Sequence, residues 1–191
     1  MIKSLLKITL IIILYKNISN PNKMVIINPS ELRSLREKFK DKKIVYVGGV
    51  FDMTHAGHII FFEECKQLGD ILVVLIARDS FIKDYKGENR PILNEHIRMK
   101  TVDSFKPVDY TLLDPTMKFT KEEGHLKGLK FILEELKPDI YVVNDDISDF
   151  EERKNLVEQF STKIHISIRD APPEFEKIST SKIIDMIKKL G

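Results

Sequence analysis

The sequence predicts an α/β fold: a parallel sheet with helices on both faces. Three observations predict it. Short, continuous apolar runs at 44–47, 71–77 and 140–143 suit strands buried on both sides. Helical patterns alternate with such runs from residue 44 to the C-terminus, as in a sheet whose crossovers are helices. A Gly48-Gly49 pair follows the first run at once, at the carboxyl end of a strand, where such sheets bind ligands.

Each element has its own signal. Asn20-Pro21-Asn22 reads as a turn. Ser30 caps a helix with Leu32, Leu35 and Phe39 on one face, and Asp41-Lys42 ends it. The strand at 44–47 leads through the glycine loop to a helix over 58–68. Ile59, Phe62 and Cys65 point inward there, and Gly69-Asp70 stops it. The strand at 71–77 is followed by a basic loop and then a helix over 94–105. A strand at 110–113 precedes a helix over 123–136, weakened by Gly124 and Gly128 and closed before Pro138. A strand at 140–143, a helix over 151–160, a strand at 164–168 and a helix over 179–190 complete the order.

The chain has 191 residues, 42% hydrophobic and 31% charged. That suits one core and a single domain over residues 24–191. Lys and Arg number 31, Asp and Glu 29, for a formal net charge of +2. Such a balance gives no support to nucleic-acid binding through bulk charge. The single cysteine, Cys65, excludes an internal disulfide framework and a cysteine zinc cluster, and points to a reducing, cytoplasmic setting. Residues 1–23 form an apolar extension. Its apolar stretch over 8–15 is too short to span a bilayer, and no small-x-small cleavage site follows it. A mis-called start ahead of Met24, an ordered segment packed on the domain and a membrane anchor or targeting signal all stay open.

Candidate functional residues follow the strand ends. The run GGVFDMTHAGH, Gly48 to His58, joins a buried strand to a helix start. Its glycines let backbone approach a ligand closely, and the helix start favours an anion. His55 and His58, three residues apart, can point into one crevice, donate to phosphate oxygens and stabilise charge on a bridging oxygen. A metal site is the weaker alternative, since no third His or Cys lies nearby. Arg78, Asp79, Lys83, Lys86, Gly87 and Arg90 follow the second strand, and Asn94-Glu95-His96-Ile97-Arg98 opens the next helix. Several cations around a glycine suit a polyphosphate leaving group; a solvated basic loop is the alternative. Asp145 and Asp146, after the fourth strand, suit a hydroxyl, an amine or Mg²⁺, and equally a turn with caps. Arg169 follows the fifth strand. Ser179-Thr180-Ser181 opens the last helix, where hydroxyls cap the helix and bind phosphate.

These pieces together resemble the HxGH nucleotidyltransferase superfamily, in its cytidylyltransferase-like branch, over residues 43–184. GGVFDMTHAGH, the Lys86-Gly87-Glu88-Asn89-Arg90-Pro91 loop, NEHIR and ISTSKI come in family order. The resemblance implies a Rossmann-like fold of nucleotidyltransferase type. It implies attack by a small phosphate monoester on the α-phosphorus of a nucleoside triphosphate, with release of pyrophosphate. CTP is favoured as donor and ATP is the alternative. Mg²⁺ is expected to offset the triphosphate charge. By the same resemblance His55 and His58 contact the triphosphate and stabilise the transition state. Gly48, Gly49, Val50 and Phe51, with Asp52 and Gly57, wrap the phosphates. Lys86 and Arg98 bind phosphates, and Ser179, Thr180 and Ser181 close over them. A homodimer is expected.

The departures are specific. Many relatives carry Thr or Ser at the Val50 position. In glycerol-3-phosphate cytidylyltransferases an Arg-Thr-Glu-Gly run leads directly into IST, whereas here eight residues separate Arg169 from Ile178. Heptose-phosphate adenylyltransferases carry Lys-Gly-Gly-Asp where this chain has Asn144-Asp145-Asp146. Archaeal FAD synthetases look similar around Ala77-Arg78-Asp79 but carry a cysteine pair before the terminal Ser-Thr-Ser. FAD synthetase or sugar-phosphate adenylyltransferase activity, and a nucleotide-binding regulator without turnover, are the alternatives to cytidylyl transfer.

Overall fold

The computed structural model describes residues 25–26, 30–116, 126–168, 172–175 and 178–190. The expectations for residues 1–23 and for Arg169 fall outside them. Six parallel strands form one sheet: β1 (Val25–Ile26), β2 (Ile44–Gly49), β3 (Ile71–Ile76), β4 (Tyr110–Leu113), β5 (Ile140–Asn144) and β6 (Lys163–Ser167). The helices are α1 (Ser30–Lys38), α2 (Ala56–Gln67), α3 (Asp79–Lys86), α4 (Glu95–Asp103), α5 (Lys127–Glu135), α6 (Phe150–Val157) and α7 (Thr180–Lys188). Strand order is β1-β4-β3-β2-β5-β6. The chain grows outward from β2 through β3 and β4, then returns to the other side of β2 for β5. The switch point of the sheet therefore lies between β2 and β5.

Alternation along each strand divides the core in two. Ile44, Tyr46, Val73, Leu75, Leu112, Tyr141 and Val143 face one side, packed on Leu32 and Leu35 of α1, Leu129, Ile132 and Leu133 of α5, and Val157 of α6. Val45, Val47, Leu72, Val74, Ile76, Leu113 and Val142 face the other, packed on Phe61, Phe62 and Cys65 of α2 and Val102 of α4. Both faces are covered, which is why the central strands read as unbroken apolar runs. Each fully buried large side chain contributes about 1.5–3 kcal/mol. Cys65 is core filler; burial pushes its thiol pKa well up.

Three elements depart from the sequence expectation. Asp79–Lys86 is a helix and not a loop. Its charges hide a short apolar stripe: Ile82 is buried and Phe81 stacks on Tyr85 one turn on. Helix α2 starts at Ala56 with His55 as its N-cap, two residues before the expected start. The cap is a histidine, which the usual Ser/Thr/Asp/Asn signal does not find. The edge strand β1 is two residues long, too short for periodicity to show. The described part of the fourth expected helix runs from Lys127; residues 117–125, which include its expected start, fall outside the described residues. No helix among the described residues is long and apolar enough to cross a membrane.

Candidate active site

A crevice opens where β2 and β5 part. β2 stays paired with β3 up to Gly49, opposite Ile76, but its pairing with β5 stops at Tyr46 and Tyr141. The carboxyl end of β2, Gly48-Gly49, therefore stands at the switch point. Gly49 lacks a side chain because Phe51 folds back over it: an added Cβ would lie 2.8 Å from that ring. Phe51 and Met53 both hold left-handed backbone, φ +50° and +46°, on either side of Asp52. Such backbone costs about 1–2 kcal/mol per residue, so the surrounding contacts must impose it.

The loop ends on the two histidines. The His55 backbone N–H donates to His58 Nδ1 at 3.3 Å, and the rings lie 4.1 Å apart. Nδ1 of His58 is thus an acceptor, which puts the proton of its neutral ring on Nε2. Nδ1 of His55 is buried without a hydrogen-bond partner. Burial lowers the His55 pKa, so its ring is neutral near pH 7. Gly57 makes room for that ring: an added Cβ would sit 3.1 Å from His55 Cε1 and Nδ1. Both rings stand at the N-terminus of α2, whose first backbone N–H groups lack helical partners.

The chain end returns to this place. The Ile178 carbonyl lies 3.8 Å from the Cβ position of Gly57. Ser179 caps α7, its side chain accepting from the Lys182 N–H at 3.2 Å. The Thr180 hydroxyl donates to the Asp52 carbonyl at 2.7 Å. Ser181 is exposed, in a groove with Asn89, Arg90 and Ile92. Two motifs more than 120 residues apart in sequence are thereby joined.

Asp52 and Arg98 are bound inward. The Asp52 carboxylate, 2% exposed, accepts from the Ile92 N–H at 2.8 Å and the Leu93 N–H at 2.9 Å, and pairs with Arg90 at 3.2 Å. Arg98 is fully buried. Its guanidinium donates to the carbonyls of Leu93, Val50 and Ala77 and to the Asp79 carboxylate. Asp79 and Glu95 cap each other's helices, N–H to carboxylate, at 2.9 and 3.1 Å. Glu95 also holds Arg78. This network fastens the ends of β2 and β3 to the starts of α3 and α4. Sequence showed the charges but not that they face one another. Lys86, by contrast, is exposed at the end of α3, before Gly87 at φ +90°.

Asp145 and Asp146 are exposed at the end of β5, where the Asp145 N–H donates to the Ser167 carbonyl. A carboxyl missed in the sequence reading is Asp114, at the end of β4. It accepts from the Thr116 N–H and hydroxyl, and burial raises its pKa. Its burial was invisible because Gly128, against which it packs, comes from another element. Among the described residues no group of three or more His, Cys, Asp or Glu gathers as a metal cage.

Comparison with known proteins identifies the family. The family model described as cytidylyltransferase-like matches residues 46–186. The bifunctional protein HldE of Campylobacter jejuni strain RM1221 is 36% identical over 161 residues, 84% of this chain and 31% of that protein. The chain spans about a third of the length of the HldE proteins it matches. An FAD synthase of Aciduliprofundum boonei is 40% identical over 110 residues, 58% of this chain and 65% of the relative. The crystal structure of a lipopolysaccharide core biosynthesis protein from Thermoplasma volcanium is 30% identical, with a TM-score of 0.55, covering 68% of this chain and 99% of that one. With its histidine pair at the switch point and this match over most of its length, the chain belongs to the cytidylyltransferase-like family.

Proposed function

We propose that the protein transfers a nucleotidyl group from a nucleoside triphosphate to a small phosphate monoester. One observation carries this reading: His55 and His58 share one helix N-terminus, and the Ser179-Thr180-Ser181 segment is fastened beside them. An oxygen of the monoester attacks the α-phosphorus. The bond from that phosphorus to the bridging oxygen of the β-phosphate breaks, and pyrophosphate leaves with the electron pair. No covalent enzyme intermediate is needed, so catalysis rests on positioning and charge stabilisation.

His58 aims its Nε2–H at the charge that builds on the leaving oxygen. His55, neutral, supports the same oxygens without the desolvation of a buried imidazolium. The α2 N-terminus offers N–H groups to the α-phosphate. Lys86, exposed at the end of α3, would meet the phosphate groups as a point charge. Arg98 and Asp52 hold the loop in shape from beneath. Mg²⁺ would arrive on the triphosphate, and no step here runs through a protein-held metal.

The sequence favours CTP, but we propose ATP as the donor. The support is the FAD synthase relative, whose product carries an adenylyl group. Pyrophosphate release tests the reading, with ATP, CTP, GTP and UTP each offered with glycerol phosphate, phosphocholine, sugar 1-phosphates and FMN. Release with ATP and one acceptor is the expected result. Release with CTP alone overturns the donor, and a folded protein that binds none of the four overturns the reading.

A further inference from the structure

We infer that Asp52 is a positioning residue that latches two separate segments to the phosphate-facing loop, and that Thr180 uses its hydroxyl on this latch. The inference rests on the site reading above. Asp52 works through both of its oxygen-bearing groups. Its buried carboxylate takes two backbone N–H bonds, from Ile92 and Leu93, and the Arg90 cation. Its carbonyl takes the Thr180 hydroxyl. The 90–93 loop and the start of α7 are thus tied to one residue. The left-handed residues on each side, Phe51 and Met53, leave that residue little freedom.

The latch matters because α7 packs shallowly, with Ile183 and Ile184 only half-buried. None of its residues is buried, and Met186, Ile187 and Leu190 are more than half exposed. A segment with so little buried surface opens at low free-energy cost. The Thr180 bond, with the Ile178 carbonyl close to Gly57, fixes where Ser179 and Ser181 stand relative to the histidines. Losing the latch should therefore weaken nucleotide binding more than it slows the chemical step.

Hydrogen–deuterium exchange on the nucleotide-free, full-length protein tests this. Asp52→Asn keeps the size but removes one acceptor and the charge facing Arg90. Thr180→Val removes the hydroxyl, and Thr180→Ser keeps it. The expected result is about tenfold faster exchange at amides 92 and 93 in Asp52→Asn and at amides 182–184 in Thr180→Val, each the effect of one lost hydrogen bond. Thr180→Ser should restore the wild-type rate, and β3 amides should not change. Calorimetry with ATP and with CTP should show about tenfold weaker binding in the same two variants. Wild-type exchange at 92 and 93 in a folded Asp52→Asn protein, or at 182–184 in a folded Thr180→Val protein, overturns the latch. If neither nucleotide binds the wild type, the nucleotidyl reading fails while the exchange result still decides the latch.

Discussion

The backbone N–H of His55 donates to the Nδ1 of His58, so the first residue of the motif pair fixes the tautomer of the second. Each histidine also has a separate duty. His55 caps α2, and His58 stands at the third position of that helix.

Two substitutions separate the ring's duties at His58. His58→Asn retains an acceptor for the His55 N–H but loses Nε2–H. Its turnover should fall about 100-fold, the usual worth of one charge-stabilising donor. Its melting temperature should stay near wild type. His58→Ala loses both, so it should lose the same turnover and also some stability, about 1 kcal/mol by thermal unfolding. Equal turnover in wild type and a folded His58→Asn would remove His58 from the chemistry.

The pH dependence of stability follows from His55. Its folded pKa lies below the ordinary value of 6.5. The unfolded chain therefore takes up the proton first as pH falls. The stability this group contributes is complete above about pH 6.5 and is lost as the pH drops through that value toward the folded pKa. Denaturant midpoints measured from pH 7.5 down to pH 5 should decline, and His55→Gln should flatten the decline over that range.

Gly57→Ala places a methyl 3.1 Å from the His55 ring, so the ring must shift. The shift needed is a few tenths of an ångström, and a misplacement of about 1 Å is worth about 100-fold in rate. Turnover should fall by about tenfold or more in a folded protein, read as kcat against unchanged circular dichroism.

Arg98→Met leaves the Asp79 carboxylate without its cation and the carbonyls of Val50, Ala77 and Leu93 without their donor. Breaking one side of such a buried set costs about 3–5 kcal/mol. Arg98→Lys should recover only part, because one ammonium cannot reach all four acceptors. Lys86→Ala, at an exposed position, should change stability by less than about 0.5 kcal/mol. It should raise KM for the phosphate-bearing substrates.

The central strands were legible because burial on both faces makes them wholly apolar, and the neighbours Ile44 and Val45, buried on opposite faces, show it. The histidine pair was legible because its spacing in sequence, three residues, is its spacing on one helix turn. What sequence could not show was direction. Arg98 and Asp52 look like phosphate ligands in a list of residues. The fold turns both inward, onto carbonyls and N–H groups supplied by other segments. Helix α3 was missed for a related reason: its cations drew attention from Ile82, the one residue that buries it. The strand β1 was not legible because two residues are too few for periodicity to show.

The central claim is nucleotidyl transfer to a phosphate monoester at the His55–His58 pair. Phosphorus NMR of the products formed from ATP and the acceptor panel tests it most directly. Pyrophosphate and a diphosphate-linked product are expected in equal amounts, both formed about 100-fold more slowly by His58→Asn. Orthophosphate alone, or the same product at an undiminished rate in folded His58→Asn, would contradict it.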